Sequence, residues 1–135
     1  MLPSSLPVPI TAMYASLLAM LVVMLSLVVI RLRRSFKVGV GDGGNRDLAR
    51  AIRVQGNAIE YIPVFLILLG AFELNRGSAA ALHAFGATFF TCRILHAWGL
   101  YGTGGASRPR VAGMIGTLTV LILLSVANLL KLFAS

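Results

Sequence analysis

Residues 10–30 read ITAMYASLLAMLVVMLSLVVI, a stretch without one charged side chain. About 20 helical residues cover the hydrocarbon core of a bilayer, so this stretch reads as a transmembrane helix. Residues 111–130, VAGMIGTLTVLILLSVANLL, are equally free of charge. Two further apolar stretches lie between them. The one from Leu48 to Phe72 carries Arg50, Arg53 and Glu60, and the one from Ser78 to Tyr101 carries Arg93. Each is long enough to cross, provided its charges face protein or water. The expected fold is all-α: an integral membrane four-helix bundle, one domain over residues 1–135, with helices at about 9–33, 46–73, 78–101 and 109–133. A cleaved signal peptide is the other reading of the first stretch. Its apolar run is too long for that, no basic segment precedes it, and arginines follow at once.

Composition agrees. Hydrophobic residues make up 58% of the 135 and charged residues 12%, against roughly 25% charged in soluble domains. Twelve Lys and Arg face four Asp and Glu, a formal charge of +8. In a soluble chain that excess would point to nucleic acid; here it follows the spans, and no nucleic-acid partner is expected. Arg31, Arg33, Arg34, Lys37, Arg46 and Arg50 lie between the first two spans, and Arg108 and Arg110 between the last two. The opposite side has Arg76, with Lys131 near the C-terminus. Basic loops stay in the cytoplasm, which puts 31–50 and 102–110 inside and both termini outside. Cys92, the single cysteine, excludes an internal disulfide and a cysteine-based zinc cluster. It reads as a packing residue, His83 as packing or an interfacial hydrogen bond, and no metal-site spacing is present.

Local chemistry marks the boundaries. Pro7 and Pro9 precede the first helix; Asn45 is the expected N-cap of the second, with Asp47 in its first turn. Asn75 and Gly77 suit a tight connection, and Pro109 the first turn of the fourth helix. Residues 39–44, GVGDGG, match a dinucleotide-binding pattern formally. They follow a membrane helix and no strand, so a flexible turn is the reading.

The informative stretch is Arg53-Val-Gln55-Gly-Asn57-Ala-Ile-Glu60-Tyr61-Ile-Pro63. Arg53, Asn57, Glu60 and Tyr61 recur at i, i+4, i+7 and i+8, one helical face. At about 1.5 Å per residue from Asn45, Glu60 lies about 20 Å along, near the bilayer midplane. A carboxylate there needs a partner in the bundle interior, and Arg93 is the expected one. A buried Glu60–Arg93 pair with Asn57 can be purely structural, such interhelical bonds contributing about 0.6–2 kcal/mol. The functional reading rests on the row of polar groups leading to the cytoplasmic mouth. There Arg33, Arg34, Arg53, Arg108 and Arg110 outnumber Asp42, Asp47 and Glu60. Surplus arginine in a partly desolvated cleft suits an anionic ligand whose carboxylates it can grip in bidentate fashion. Arg33 and Arg34 fit topology and lipid headgroups equally well. Pro63 leaves the Ile59 carbonyl without its helical donor, so a bend or an ordered water beside Glu60 is expected. Gly56 allows close approach of another helix or a ligand.

These residues resemble the membrane-associated proteins in eicosanoid and glutathione metabolism, the MAPEG family. The likeness rests on the 53–63 string, on Arg33-Arg34-Ser-Phe, on Gly41-Asp42-Gly43-Gly44 and on Arg93-Ile-Leu-His96-Ala-Trp-Gly99. It covers essentially the whole chain. The resemblance implies a homotrimer in the bacterial inner membrane, with sites between subunits at the cytoplasmic side. It implies reduced glutathione as cosubstrate, conjugated to lipophilic electrophiles or spent on lipid hydroperoxides. Arg53, Gln55, Asn57, Glu60 and Tyr61 would then hold the peptide, Arg33 or Arg34 would contribute from the first helix, and Arg93, His96 and Tyr101 would complete the site. Arg108 and Arg110 both match the thiol-activating arginine. One departure stands out: Leu100 occupies a position where relatives carry a ligand-contacting tyrosine, and Tyr101, about 100° further round, is next to it. The alternative function is a non-enzymatic membrane module binding lipid or an anionic metabolite in the same cleft. A small multidrug transporter shares the length and a membrane glutamate, but Glu60 belongs to a longer polar string flanked by arginines.

Overall fold

The computed structural model describes residues 7–102 and 107–133. Four helices follow one another: α1 (Pro9–Phe36), α2 (Arg46–Leu74), α3 (Ala79–Gly102) and α4 (Arg108–Phe133). Asn45 caps α2, its Oδ1 accepting the N–H groups of Asp47 and Leu48 at 3.0 Å each. Two of the donors that a helix start leaves open are thereby satisfied. α1 runs beyond the expected end near residue 33. Lys37 adopts a left-handed conformation (φ 55), and the N–H groups of Lys37 and Val38 close on the carbonyls of Arg34 and Arg33. The glycine-rich segment after it is a turn: Arg33 Nη1 donates to the carbonyls of Gly39 (3.3 Å) and Gly41 (2.8 Å). α2 continues through Pro63 as one element. Residues 103–106, in the middle of the expected 102–110 loop, lie outside the described residues.

The protein is a membrane protein, and α1, α2 and α4 are each long and apolar enough to cross a bilayer. α3 does not qualify on its own composition, where four spans were expected. Its 24 residues would reach about 36 Å, so length is not the reason. His83, Arg93 and His96 dilute its hydropathy.

α3 packs most closely on α4, and α1 on α2; α2 and α3 form the inner pair, while the backbones of α1 and α4 stay apart among the described residues. Phe65 and Phe89, both fully buried, stack between α2 and α3 with centroids 3.8 Å apart and planes 5° from parallel. The outer faces of α1 and α4 expose Met20, Val23, Met24, Ile122, Leu123 and Leu130, as lipid contact requires. Lipid tails are as apolar as leucine, so helices associate in a membrane through close packing and polar links. Both are present. A Cβ at Gly113 would stand 2.6 Å from the Cys92 carbonyl oxygen and the His96 nitrogen, and one at Gly116 would collide with Cys92 Sγ. Gln55 Nε2 donates to Ser26 Oγ at 2.7 Å, joining α2 to α1, and Asn128 Nδ2 donates to the Leu68 carbonyl at 3.0 Å, joining α4 to α2. The Glu73 carboxylate accepts the N–H groups of Ile10 and Thr11 at 2.9 and 2.7 Å, capping the start of α1 from α2. Among the described residues, a Cβ at Gly56 would meet nothing within 4 Å.

The close α3–α4 approach makes a specific prediction. Gly113→Val should cost about 1–3 kcal/mol, the usual penalty for overpacking, and lower the melting temperature in detergent. Equal melting of Gly113→Val and the parent protein would show that α3 and α4 do not depend on this contact.

Candidate functional site

The polar face of α2 opens on a cavity of about 550 Å³, within the range of small-molecule sites. Arg53, Asn57, Glu60 and Tyr61 line it from α2, His96 and Leu100 from α3, and Arg110, Val111, Met114 and Ile115 from α4. Helical spacing accounts for each wall: one turn separates His96 from Leu100, and the first two turns of α4 supply the rest. The cavity occupies the half of the bundle where α2 and α4 begin. From the start of α2, Glu60 lies about 20 Å along the axis. The polar lining sets Arg53 and Arg110 beside Glu60, Asn57, Tyr61 and His96, and the rest of the lining is apolar.

Arg93 stands behind this polar side at 2% exposure. Its Nη1 donates to Asn57 Oδ1 at 2.7 Å, and the guanidinium carbon lies 5.5 Å from the Tyr61 ring centre and 6.0 Å from that of Phe89. Nε and Nη2 have no protein partner among the described residues. The expected Glu60–Arg93 pair is therefore not formed. Helix rotation explains the difference: from Asn57, Tyr61 lies about 40° to one side and Glu60 about 60° to the other. Arg93 is on the Tyr61 side, leaving Glu60 exposed on the cavity. Because the Asn57 oxygen is engaged by Arg93, its NH₂ donors are directed away from the guanidinium.

His96 is buried, and its Nδ1 lies 3.1 Å from the Arg110 carbonyl oxygen. The end of α3 is pressed onto the start of α4: Ser107 Oγ donates to the Gly99 carbonyl at 2.8 Å, and a side chain at Gly99 would strike the Arg110 backbone. That contact brings Arg110 onto the cavity wall. Arg108 is exposed and does not line it. Gln55 is turned to Ser26 on α1. Arg33 and Arg34 line a separate open cleft of about 360 Å³ together with Ile30, Lys37, Val38 and Gly39. Tyr101 is also off the cavity, its hydroxyl buried with no partner among the described residues, while Leu100 is on it. Rotation by one residue thus does not let Tyr101 replace Leu100. Val111, Met114 and Ile115 were not foreseen as lining residues, since apolar positions in a membrane helix carry no signal of their own. Among the described residues, no group of three His, Cys, Asp or Glu could hold a metal ion.

Comparison with known proteins covers nearly the whole chain. The sequence model of the MAPEG family matches residues 11–130. The inner membrane protein YecN of Escherichia coli (strain K12) is 38% identical over 120 residues, 89% of this chain and 90% of the relative. An uncharacterized protein of Synechocystis, sll1147, is 35% identical over 114 residues, 83% of this chain and 80% of its own.

The Arg93–Asn57 bond can be tested by unfolding. Asn57→Ala, which strips a buried cation of its side-chain acceptor, should cost about 1.5–3 kcal/mol. Arg93→Met should cost less, because the desolvated charge goes with it, and the double variant less than the sum. If Asn57→Ala unfolds like the parent in detergent, the bond does not hold α2 to α3.

Proposed function

The chain belongs to the MAPEG family, and we propose that it is a membrane-integral glutathione-dependent transferase or peroxidase acting on lipophilic electrophiles or lipid hydroperoxides. One observation carries the reading. Arg53, Asn57, Glu60, Tyr61, His96 and Arg110, drawn from three helices, converge on one cavity whose remaining wall is apolar. Glutathione offers two carboxylates, an ammonium group, two amides and a thiol. Arg53 matches a carboxylate, Glu60 the ammonium, and the Asn57 NH₂ and Tyr61 hydroxyl the peptide groups. Arg110 is the thiol-activating candidate. A free thiol has a pKa of about 8.5, and a cation beside it favours the nucleophilic thiolate. Leu100, Val111, Met114 and Ile115 suit the lipophilic partner.

In this reading the functional unit is a homotrimer in the bacterial inner membrane. α3 completes the fourth span, the loops around 31–50 and 102–110 are cytoplasmic, and both termini are outside. Arg33, Arg34 and Gln55, off the cavity within one chain, would serve the neighbouring subunit's site, and the open space at Gly56 would receive that neighbour. Leu100 on the cavity wall favours a second reading, a non-enzymatic module holding a lipid or anionic metabolite in the same cleft.

Titration of the purified protein with reduced glutathione, followed by thiolate absorbance, separates the two. Arg53→Ala and Glu60→Gln should each weaken binding about tenfold or more, equivalent to about 1.4 kcal/mol. Arg110→Ala should bind glutathione yet form less thiolate, with Arg108→Ala unchanged. Copurified lipid and no glutathione binding would favour the module. Binding indifferent to Arg53→Ala and Glu60→Gln would rule out this cavity as the glutathione site.

A further inference from the structure

We infer that His96 is the proton shuttle of the reaction: its Nε2 accepts the thiol proton of bound glutathione and later returns it to the product. The inference rests on the glutathione reading above and assigns a role to a residue that the reading itself leaves as part of the wall.

The argument starts from the hydrogen bond to Arg110. A backbone carbonyl can only accept, so the 3.1 Å contact puts the proton on Nδ1 of the imidazole. In the neutral ring the lone pair then sits on Nε2. Nε2 has no protein partner among the described residues, and its side chain lines the cavity. The ring cannot readily turn away. His96 is 6% exposed, and its Nδ1 is tied to the Arg110 carbonyl. A base with one nitrogen fixed by an acceptor and the other open to the substrate is the arrangement that general-base catalysis requires. Arg53, Glu60 and Tyr61 of α2 and Arg110 of α4 share the cavity with His96, and Arg93 lies one turn before it on α3. Arg110 on the same wall suits the thiolate and His96 the proton, so the two complete an ion-pair-forming transfer.

With an α,β-unsaturated carbonyl as electrophile the step balances. The S–H bond breaks, its proton passing to Nε2 and its electron pair staying on sulfur. Sulfur then bonds to the β-carbon, and the C=C electrons move toward the carbonyl oxygen to give an enolate. Nε2 delivers the proton to the α-carbon, restoring neutral His96 and the saturated adduct. No proton or electron is left over.

His96→Asn is the informative variant, since the amide can still donate to the Arg110 carbonyl but holds no titratable nitrogen. With a membrane-soluble enone, kcat at neutral pH should fall about 100-fold, the usual contribution of a general base. Glutathione should still bind, with less thiolate absorbance at neutral pH than in the parent. The variant's rate should go on rising with pH where the parent's has levelled off. An unchanged rate and pH profile would overturn the proposal. Should His96→Asn fail to assemble, the parent protein decides alone. Glutathione binding at about pH 7.5, below the free thiol pKa, is measured calorimetrically in two buffers of different ionisation enthalpy. Near-zero proton release alongside thiolate absorbance supports transfer to His96; release of about one proton per bound glutathione overturns it. Either result presupposes binding, so a parent protein that binds no glutathione removes the broader reading, whereas binding with full proton release removes only the role of His96.

Discussion

A guanidinium sealed among Asn57, Tyr61 and Phe89 sets the terms for the rest of the bundle. Arginine cannot shed its proton in a protein, so the charge of Arg93 stays, and the helices must supply what solvent does not. Asn57 meets it with its carbonyl oxygen, Tyr61 and Phe89 with their ring faces. This fixes the rotation and register of α2 against α3, and the Phe65–Phe89 stack continues the same interface. It also frees Glu60, whose side chain belongs to the cavity because Arg93 is committed elsewhere.

A second constraint acts between α3 and α4. Gly99, Gly113 and Gly116 let the two backbones approach more closely than any side chain permits. The approach sets the Arg110 carbonyl against His96 and carries the Arg110 side chain onto the cavity wall. Meanwhile Asn128 ties α4 to α2 at the opposite end of the bundle through the Leu68 carbonyl. The cavity is the space left at the near end, between α2 and the tightly joined α3–α4 pair.

That origin explains its two-sided chemistry. α2 contributes the polar row, and the first turns of α4 contribute Val111, Met114 and Ile115. In the proposed reading, a water-soluble anionic peptide and a lipid-soluble electrophile demand opposite surroundings, and a cavity walled in this way offers both within one space. Leu100 shifts the balance toward the apolar side relative to a tyrosine at that position.

Much of this was legible without coordinates. Charge-free stretches are dictated by the cost of polar groups in hydrocarbon, so the helical membrane fold follows from them, and the Asn45 cap from local chemistry, while α1 runs past its expected end to Phe36. The one-sided spacing of Arg53, Asn57, Glu60 and Tyr61 is likewise a property of the α-helix. Which residue meets Arg93 was not legible, because Asn57 and Glu60 share a face broadly and only the rotation of α2 against α3 chooses between them. The same holds for Arg110 over Arg108, for Gln55 turning to Ser26, and for Leu100 facing the cavity where Tyr101 does not. Those outcomes depend on angles between helices, set by close packing over glycines and by where a buried cation finds its acceptor. Linear spacing records which side of one helix a residue occupies; the neighbour that side meets is decided only when the helices pack.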